Sequence, residues 1–281
     1  MRFKLSDSIA LLITLLFATG IVVFFFSHIV TNPGHIIIES DGDAIKNYFA
    51  YLYHIMYGKG VWFNGMNYPY GDNIIYPDSQ PLLSVPLSYL RQSFHLTVEN
   101  ALMVMHLVLA LSYVLAIVYT YKILRRFKVG FLPAMLFAGV IIVFSPQVLR
   151  FLGHYGLCYS CIIPMLFYWS VKYHDTQQWK NIVYISIVTC AAMFMHLYFL
   201  AIIEMWACLY ILGYIILTRT PIKQKLKHIV PVLIGVGVPY LVLKIFLIYT
   251  DPIKDRPSIP WGIFDYCTSY NQIFTSVYSP F

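Results

Sequence analysis

Charge is scarce in this chain. Asp, Glu, Lys and Arg make up 11% of its 281 residues, and only 12 residues are acidic. Soluble domains carry about a quarter charged residues, so a soluble fold is excluded. Cysteine is sparse too, at five residues. Cys158 and Cys161 have C-x-x-C spacing, but no second pair accompanies them and their surroundings are apolar. That argues against a zinc site or thioredoxin chemistry and for packed thiols. No Ala-x-Ala site follows the first apolar run, which argues against a cleaved leader. No internal repeat is evident. The net charge of +7 sits in short links between apolar runs, a pattern that sets membrane topology and does not point to nucleic acid.

What is present is hydrophobic: 59% of residues, with mean hydropathy +0.70. Such a chain reads as an integral membrane protein. Its first uncharged run covers 8–30, after Arg2 and Lys4. Apolar runs resume at 100–121 and 129–171, the second broken at Ser145-Pro146-Gln147 through His154-Tyr155-Gly156. A further run at 181–217 breaks near His196, and a last one covers 229–249. Basic links at 122–128, 172–180 and 219–228 belong on the cytoplasmic side, so an even number of crossings separates them. The expectation is an all-α polytopic protein of about seven transmembrane helices, N-terminus inside and C-terminus outside. Residues 1–250 form the membrane domain, with a long outer loop at 31–98. Residues 251–281 form an outer segment that reads as the start of a truncated loop.

The densest acidic point is Glu39-Ser40-Asp41-Gly42-Asp43, which opens that outer loop. It precedes a segment at 44–56 whose Ile45, Tyr48, Phe49, Leu52 and Ile55 recur at helical spacing, with Asp43, Lys46, Asn47 and His54 largely opposite. A carboxylate cluster at a membrane-surface helix suits proton transfer. The same residues also suit a helix cap and a turn.

Further along the loop, Tyr68 and Tyr70 suit stacking on a sugar or a lipid, or an interfacial aromatic belt. Asp78 and Gln80 lie in a proline-bounded stretch. At the break after residue 145, the fork of Arg150 suits a phosphate, or snorkelling to headgroups. His154 suits a phosphate or proton transfer, or simple packing. His196 marks the tight link near 196. Glu204, eight residues on, lies in an apolar run where a carboxylate usually faces a polar interior. It suits a pair with Arg150, a substrate, or a structural hydrogen bond.

This layout resembles the GT-C class of membrane glycosyltransferases. The likeness lies in the basic N-terminus, the single helix, and the outer loop opening with Glu39-Ser40-Asp41-Gly42-Asp43. Lys46-Asn47-Tyr48, Gly65-Met66-Asn67-Tyr68-Pro69-Tyr70-Gly71, Asp78-Ser79-Gln80-Pro81, and Ser145-Pro146-Gln147 with Arg150 and Gly153-His154-Tyr155 resemble bacterial membrane proteins of that kind. The resemblance implies sugar transfer from a polyprenyl-phosphate-linked donor to a glycan, lipid or protein acceptor, at the outer face of a bacterial cytoplasmic membrane. It implies Asp41 and Asp43 as the catalytic carboxylates, either as general base or as ligands of Mg2+ or Mn2+. Lys46, Asn47, Tyr68, Tyr70, Asp78, Gln80, Arg150, His154, His196 and Glu204 are then the candidate substrate-binding residues. Two other classes fit the same residues: a transporter or flippase of a lipid-linked ligand, and a non-catalytic membrane assembly subunit.

Overall fold

A computed structural model of the chain describes residues 6–58 and 60–254. Arg2, Lys4, Cys267 and the expected outer segment from 255 onward lie outside the described residues. The chain divides into two units, Met1–Thr250 and Asp251–Phe281.

The first unit is helical. Helix α1 (Asp7–Phe25) starts at Ser6, whose side chain accepts from the Ile9 N–H, and it is apolar on all sides. Only Ala10, Thr14, Ala18 and Val22 are buried, a stripe four residues apart, while Leu12, Leu16 and Phe24 are exposed. Small side chains turned inward and large apolar ones turned outward are the pattern of a helix that faces lipid. A short helix α2 (Ser27–Thr31) continues it.

The central element is α5 (Val98–Arg126), opened by a Thr97–Asn100 capping box and closed by Arg125 and Arg126. Its 29 residues rise about 43 Å, more than the roughly 30 Å hydrocarbon core of a bilayer. Around it pack α1, α6 (Phe131–Val143) and α7 (Ile162–Thr176). Next come α8 (Trp179–Met195), α9 (Tyr198–Leu217) and α10 (Ile222–Thr250), with α8 and α9 both against α10. Two glycines permit close crossings. A Cβ on Gly139 of α6 would lie 2.7 Å from Ile21 Cδ1, and one on Gly235 of α10 would lie 3.2 Å from Ile182 Cγ2.

Helices thus occupy each of the expected apolar runs. Among the described residues, five are long and apolar enough to cross a membrane: α1, α5, α6 with its continuation to Leu152, α9 and α10. Helix α7 has 15 residues and α8 has 17, at or below the usual minimum for a span. The break after α6 is made of two 3-10 turns, Pro146–Leu152 and Tyr155–Leu157. The link near 196 is a tight corner in which His196 caps α8 and α9 starts at Tyr198. Because α9 starts there, His196 does not share a helical face with Glu204.

The loop at 31–98 is more structured than its polar-aromatic composition suggests. It holds α3 (Gly42–Tyr57), an antiparallel pair of two-residue strands, β1 (Trp62–Phe63) and β2 (Asp72–Asn73), and a second helix, α4 (Pro81–Phe94), packed on α3. Helix α4 starts with proline at its first position, where no N–H is needed. Its buried face in α3 also differs from the apolar pattern. Ile45 and Phe49 are exposed, while Asn47 and His54 are fully buried. Neighbouring loops cover the polar positions and leave part of the apolar stripe open.

Candidate functional site

The start of α3 is held by a set of buried polar contacts. His106 of α5 contacts the Pro33 carbonyl through Nδ1 at 2.6 Å and the Tyr48 hydroxyl through Nε2 at 2.9 Å. The Ile38 N–H donates to the same hydroxyl at 3.1 Å, and Tyr155 donates to the Glu39 carbonyl at 3.3 Å. Asn47 donates to the Asp43 carbonyl and to the Gly153 carbonyl, each at 2.8 Å. These bonds tie the acidic opening of α3 to the break at 145–157. The neighbouring loop is tied down as well. Ser79 donates to the Ile74 carbonyl at 2.8 Å, and Tyr159 donates to Gln80 Oε1. Asp78 and Gln80 both have left-handed backbone, with φ of 52°. Two non-glycine residues in that region flank one serine, a conformation that costs free energy and is often found at sites of function.

Between these segments lies a cavity of about 360 Å³. Asp43 and Lys46 come from α3, Asp78 from the loop before α4, His154 from the break, and His196 and Tyr198 from the α8–α9 corner. The charged groups alternate. His196 Nε2 lies 2.8 Å from Asp78 Oδ1, and Lys46 Nζ lies 3.0 Å from Asp78 Oδ2 and 3.2 Å from Asp43 Oδ1. His154 Nε2 lies 3.8 Å from Asp43 Oδ2. The Asp43 side chain is half exposed, at 51%, whereas Asp78 is 20% and His196 is 8% exposed. Asp43 is therefore the carboxylate that a solute reaches, and Asp78 and His196 form the floor.

The electrostatics follow from that arrangement. Burial pushes the Asp78 carboxyl up, but His196 and Lys46 together outweigh burial and hold it below its ordinary value of 3.8. Burial pulls Lys46 down, and its pairs with Asp78 and Asp43 reverse this, leaving it above 10.5. Both groups are charged at neutral pH. One lysine faces two carboxylates, so the array carries one net negative charge when the histidines are neutral.

Not every expected site residue lines this cavity. Asp41 is the N-cap of α3, exposed, with its carboxylate accepting from the Gly42 N–H at 2.7 Å. Asp41 has extended backbone, with φ of −106° and ψ of 159°, and it does not line the cavity that Asp43 lines. Asn47 and Gln80 are fully buried and bonded within the protein. Tyr68 and Tyr70 are exposed on the loop between the two short strands. Arg150 is exposed on its 3-10 turn, Glu204 is half-buried in α9, and among the described residues neither forms an ion pair. Among the described residues no three His, Cys, Asp or Glu side chains are grouped as metal ligands, and Asp43 is already flanked by two basic groups. Of the two carboxylates expected to hold a divalent ion, Asp43 lines the cavity and Asp41 caps α3. Tyr198, its ring 4.8 Å from that of His196, also lines the cavity without having been expected there. Its only signal in the sequence is its place two residues after His196.

Residues 13–271 match a family model described as Domain of unknown function (DUF6311). The chain belongs to this family. The match contains every residue of the cavity, so the alternating array lies within the DUF6311 domain. No curated protein and no solved structure gives a match to the chain.

Proposed function

We propose that this DUF6311 protein is a membrane glycosyltransferase that moves a sugar from a polyprenyl-phosphate-linked donor to an acceptor hydroxyl. The observation that carries the reading is Asp43. It is half exposed in a cavity at the opposite end of α6, α7 and α8 from their basic links, and it is held between Lys46 and His154. In the proposed reaction Asp43 takes the proton of the acceptor hydroxyl. The hydroxyl oxygen bonds to the anomeric carbon as the carbon–oxygen bond to phosphate breaks, and the phosphate leaves on the lipid. Lys46 orients Asp43, and Asp78 with His196 holds Lys46. Because Lys46 is already shared by two carboxylates, the leaving phosphate is met by His154.

In this reading α7 and α8 also cross the bilayer, giving seven spans, with the N-terminus and the basic links inside and the cavity outside, in a bacterial cytoplasmic membrane. A carrier for a lipid-linked ligand would draw on Glu204, the half-buried carboxylate of α9. An assembly subunit would need none of these groups.

The test uses proteoliposomes supplied with radiolabelled sugars on undecaprenyl phosphate. Asp43→Asn should lower transfer by about 100-fold or more, the range of a general base. Asp41→Asn should leave transfer within about twofold, because asparagine caps a helix as well as aspartate does. Undiminished transfer in Asp43→Asn would remove the proposed role.

A further inference from the structure

The other end of the molecule holds a second cleft, of about 500 Å³, between the α7–α8 link and the first turns of α10. Tyr173, Gln177 and Trp179 form one wall, and Lys223, Leu226, Lys227, Val230 and Pro231 form the other. Among the described residues no Asp or Glu lines it. The nearby Asp175 is engaged by Arg126. Lys223 and Lys227 have no carboxylate partner among the described residues.

The wall on α10 is a helical stripe. Positions 223, 226, 227, 230 and 234 recur at three- and four-residue spacing and so share a face. The stripe is cationic at the helix end and apolar further in. Leu226, Val230 and Ile234 are exposed by 52%, 45% and 41%. Trp179, 57% exposed, stands opposite, an aromatic of the type enriched at membrane interfaces. The cations at the end of α5 are different, because they are engaged. Arg126 pairs with Asp175, Arg125 donates to the Val129 carbonyl, and Lys122 lies over the Tyr119 and Tyr168 rings.

We propose that the cleft at α10 binds an anionic phospholipid, with its phosphate on Lys223 and Lys227 and an acyl chain along Leu226, Val230 and Ile234. The charge order along the stripe matches that of the lipid, headgroup first and chain after. A zwitterionic lipid lacks the net charge to compensate two unpaired lysines, and a free phosphate leaves the apolar part of the stripe unused. This inference does not depend on the transferase reading.

The full chain is reconstituted in bilayers containing acyl-brominated phosphatidylglycerol or acyl-brominated phosphatidylcholine at equal mole fraction, and tryptophan fluorescence is read. Bromine quenches indole at contact, and Trp179 is one of five tryptophans. Phosphatidylglycerol should quench more strongly, and Trp179→Phe should remove the difference. Lys223→Ala/Lys227→Ala should lower the preference roughly tenfold, while the charge-matched Lys180→Ala/Arg219→Ala should keep it. Equal quenching by the two lipids in the unaltered protein overturns the proposal whether or not any variant folds. It is also overturned if the preference survives loss of Lys223 and Lys227, or falls equally in the control pair, which would mark bulk surface charge. Inorganic phosphate that abolishes the preference where sodium chloride of equal ionic strength does not would mark a free-phosphate site instead.

Discussion

Asp78 joins His196 to Lys46, and removing it perturbs both. Asp78→Ala deletes a contact of 2.8 Å to a histidine that is 8% exposed and one of 3.0 Å to a lysine that is 34% exposed. A hydrogen bond to a charged group contributes about 1.5–3 kcal/mol. The lysine side is discounted because Lys46 keeps Asp43 at 3.2 Å and is partly solvated. Relief of the carboxylate's own burial offsets part of the rest. The expected net loss is about 2 kcal/mol. Asp78→Asn keeps the volume and an acceptor for His196, so about 1 kcal/mol is expected. Because Lys46 is shared, Asp43→Ala with Asp78→Ala should cost more than the sum of the two, by about 0.5–1 kcal/mol. Denaturation in mixed micelles, followed by tryptophan fluorescence, measures all three. The depressed folded pKa adds a pH signature. Asp78 contributes stability above 3.8 that is lost as pH falls through its lower folded value, and Asp78→Asn removes that limb. Additive costs for Asp43 and Asp78, or an acid limb unchanged in Asp78→Asn, would refute the shared-lysine account.

Three other expectations concern the frame around the cavity. Burial pushes the α3 residue His54 down from 6.5 to about 4, the backbone at Gly60 offsetting only part of this. The unfolded chain then binds a proton that the folded one refuses, so stability should decline as pH falls from 6.5 toward 4, a window separate from that of Asp78. His54→Phe should flatten the decline in the same denaturation series. Gly156→Ala would place a Cβ 2.8 Å from His196 Cδ2 and 3.3 Å from the Met195 carbonyl. A cost of about 1–3 kcal/mol is expected, together with a displaced His196 ring visible by NMR of labelled histidine. Asn47→Ala deletes the bridge from α3 to Gly153 and should cost about 1–3 kcal/mol. Asn47→Asp should cost more, since a carboxylate would then face two carbonyls.

The fold was legible where the membrane is the solvent. A helix in lipid must satisfy its own backbone and show apolar side chains, so uninterrupted runs mark helices and their polar breaks mark helix ends. The break at 145–157 and the corner at His196 were readable for that reason, and both border the cavity. The loop at 31–98 followed other rules. Asn47 and His54 looked like the wet side of α3 because polarity alone places a residue outward, yet the Gly153 carbonyl and the packing around Phe63 enclose them. Gln80, expected among the substrate-binding residues, is fully buried and accepts from Tyr159.

The amino-acid sequence by itself determined that this protein is helical and apolar, where its helices stop, and that acidic and basic side chains gather at those stops. These are local properties, decided by hydropathy and backbone hydrogen bonding within each segment. Tertiary structure decided which of those side chains meet. It turned Asp43 into the cavity and left Asp41 as a cap. It brought Asp78, Lys46 and His196 from three segments into one array, and it left Arg150 and Glu204 without ion pairs among the described residues. The physical reason is that a charge pair forms across folded segments only when the packing of the helices that carry them brings their ends within about 4 Å, and no local pattern in a sequence encodes that distance.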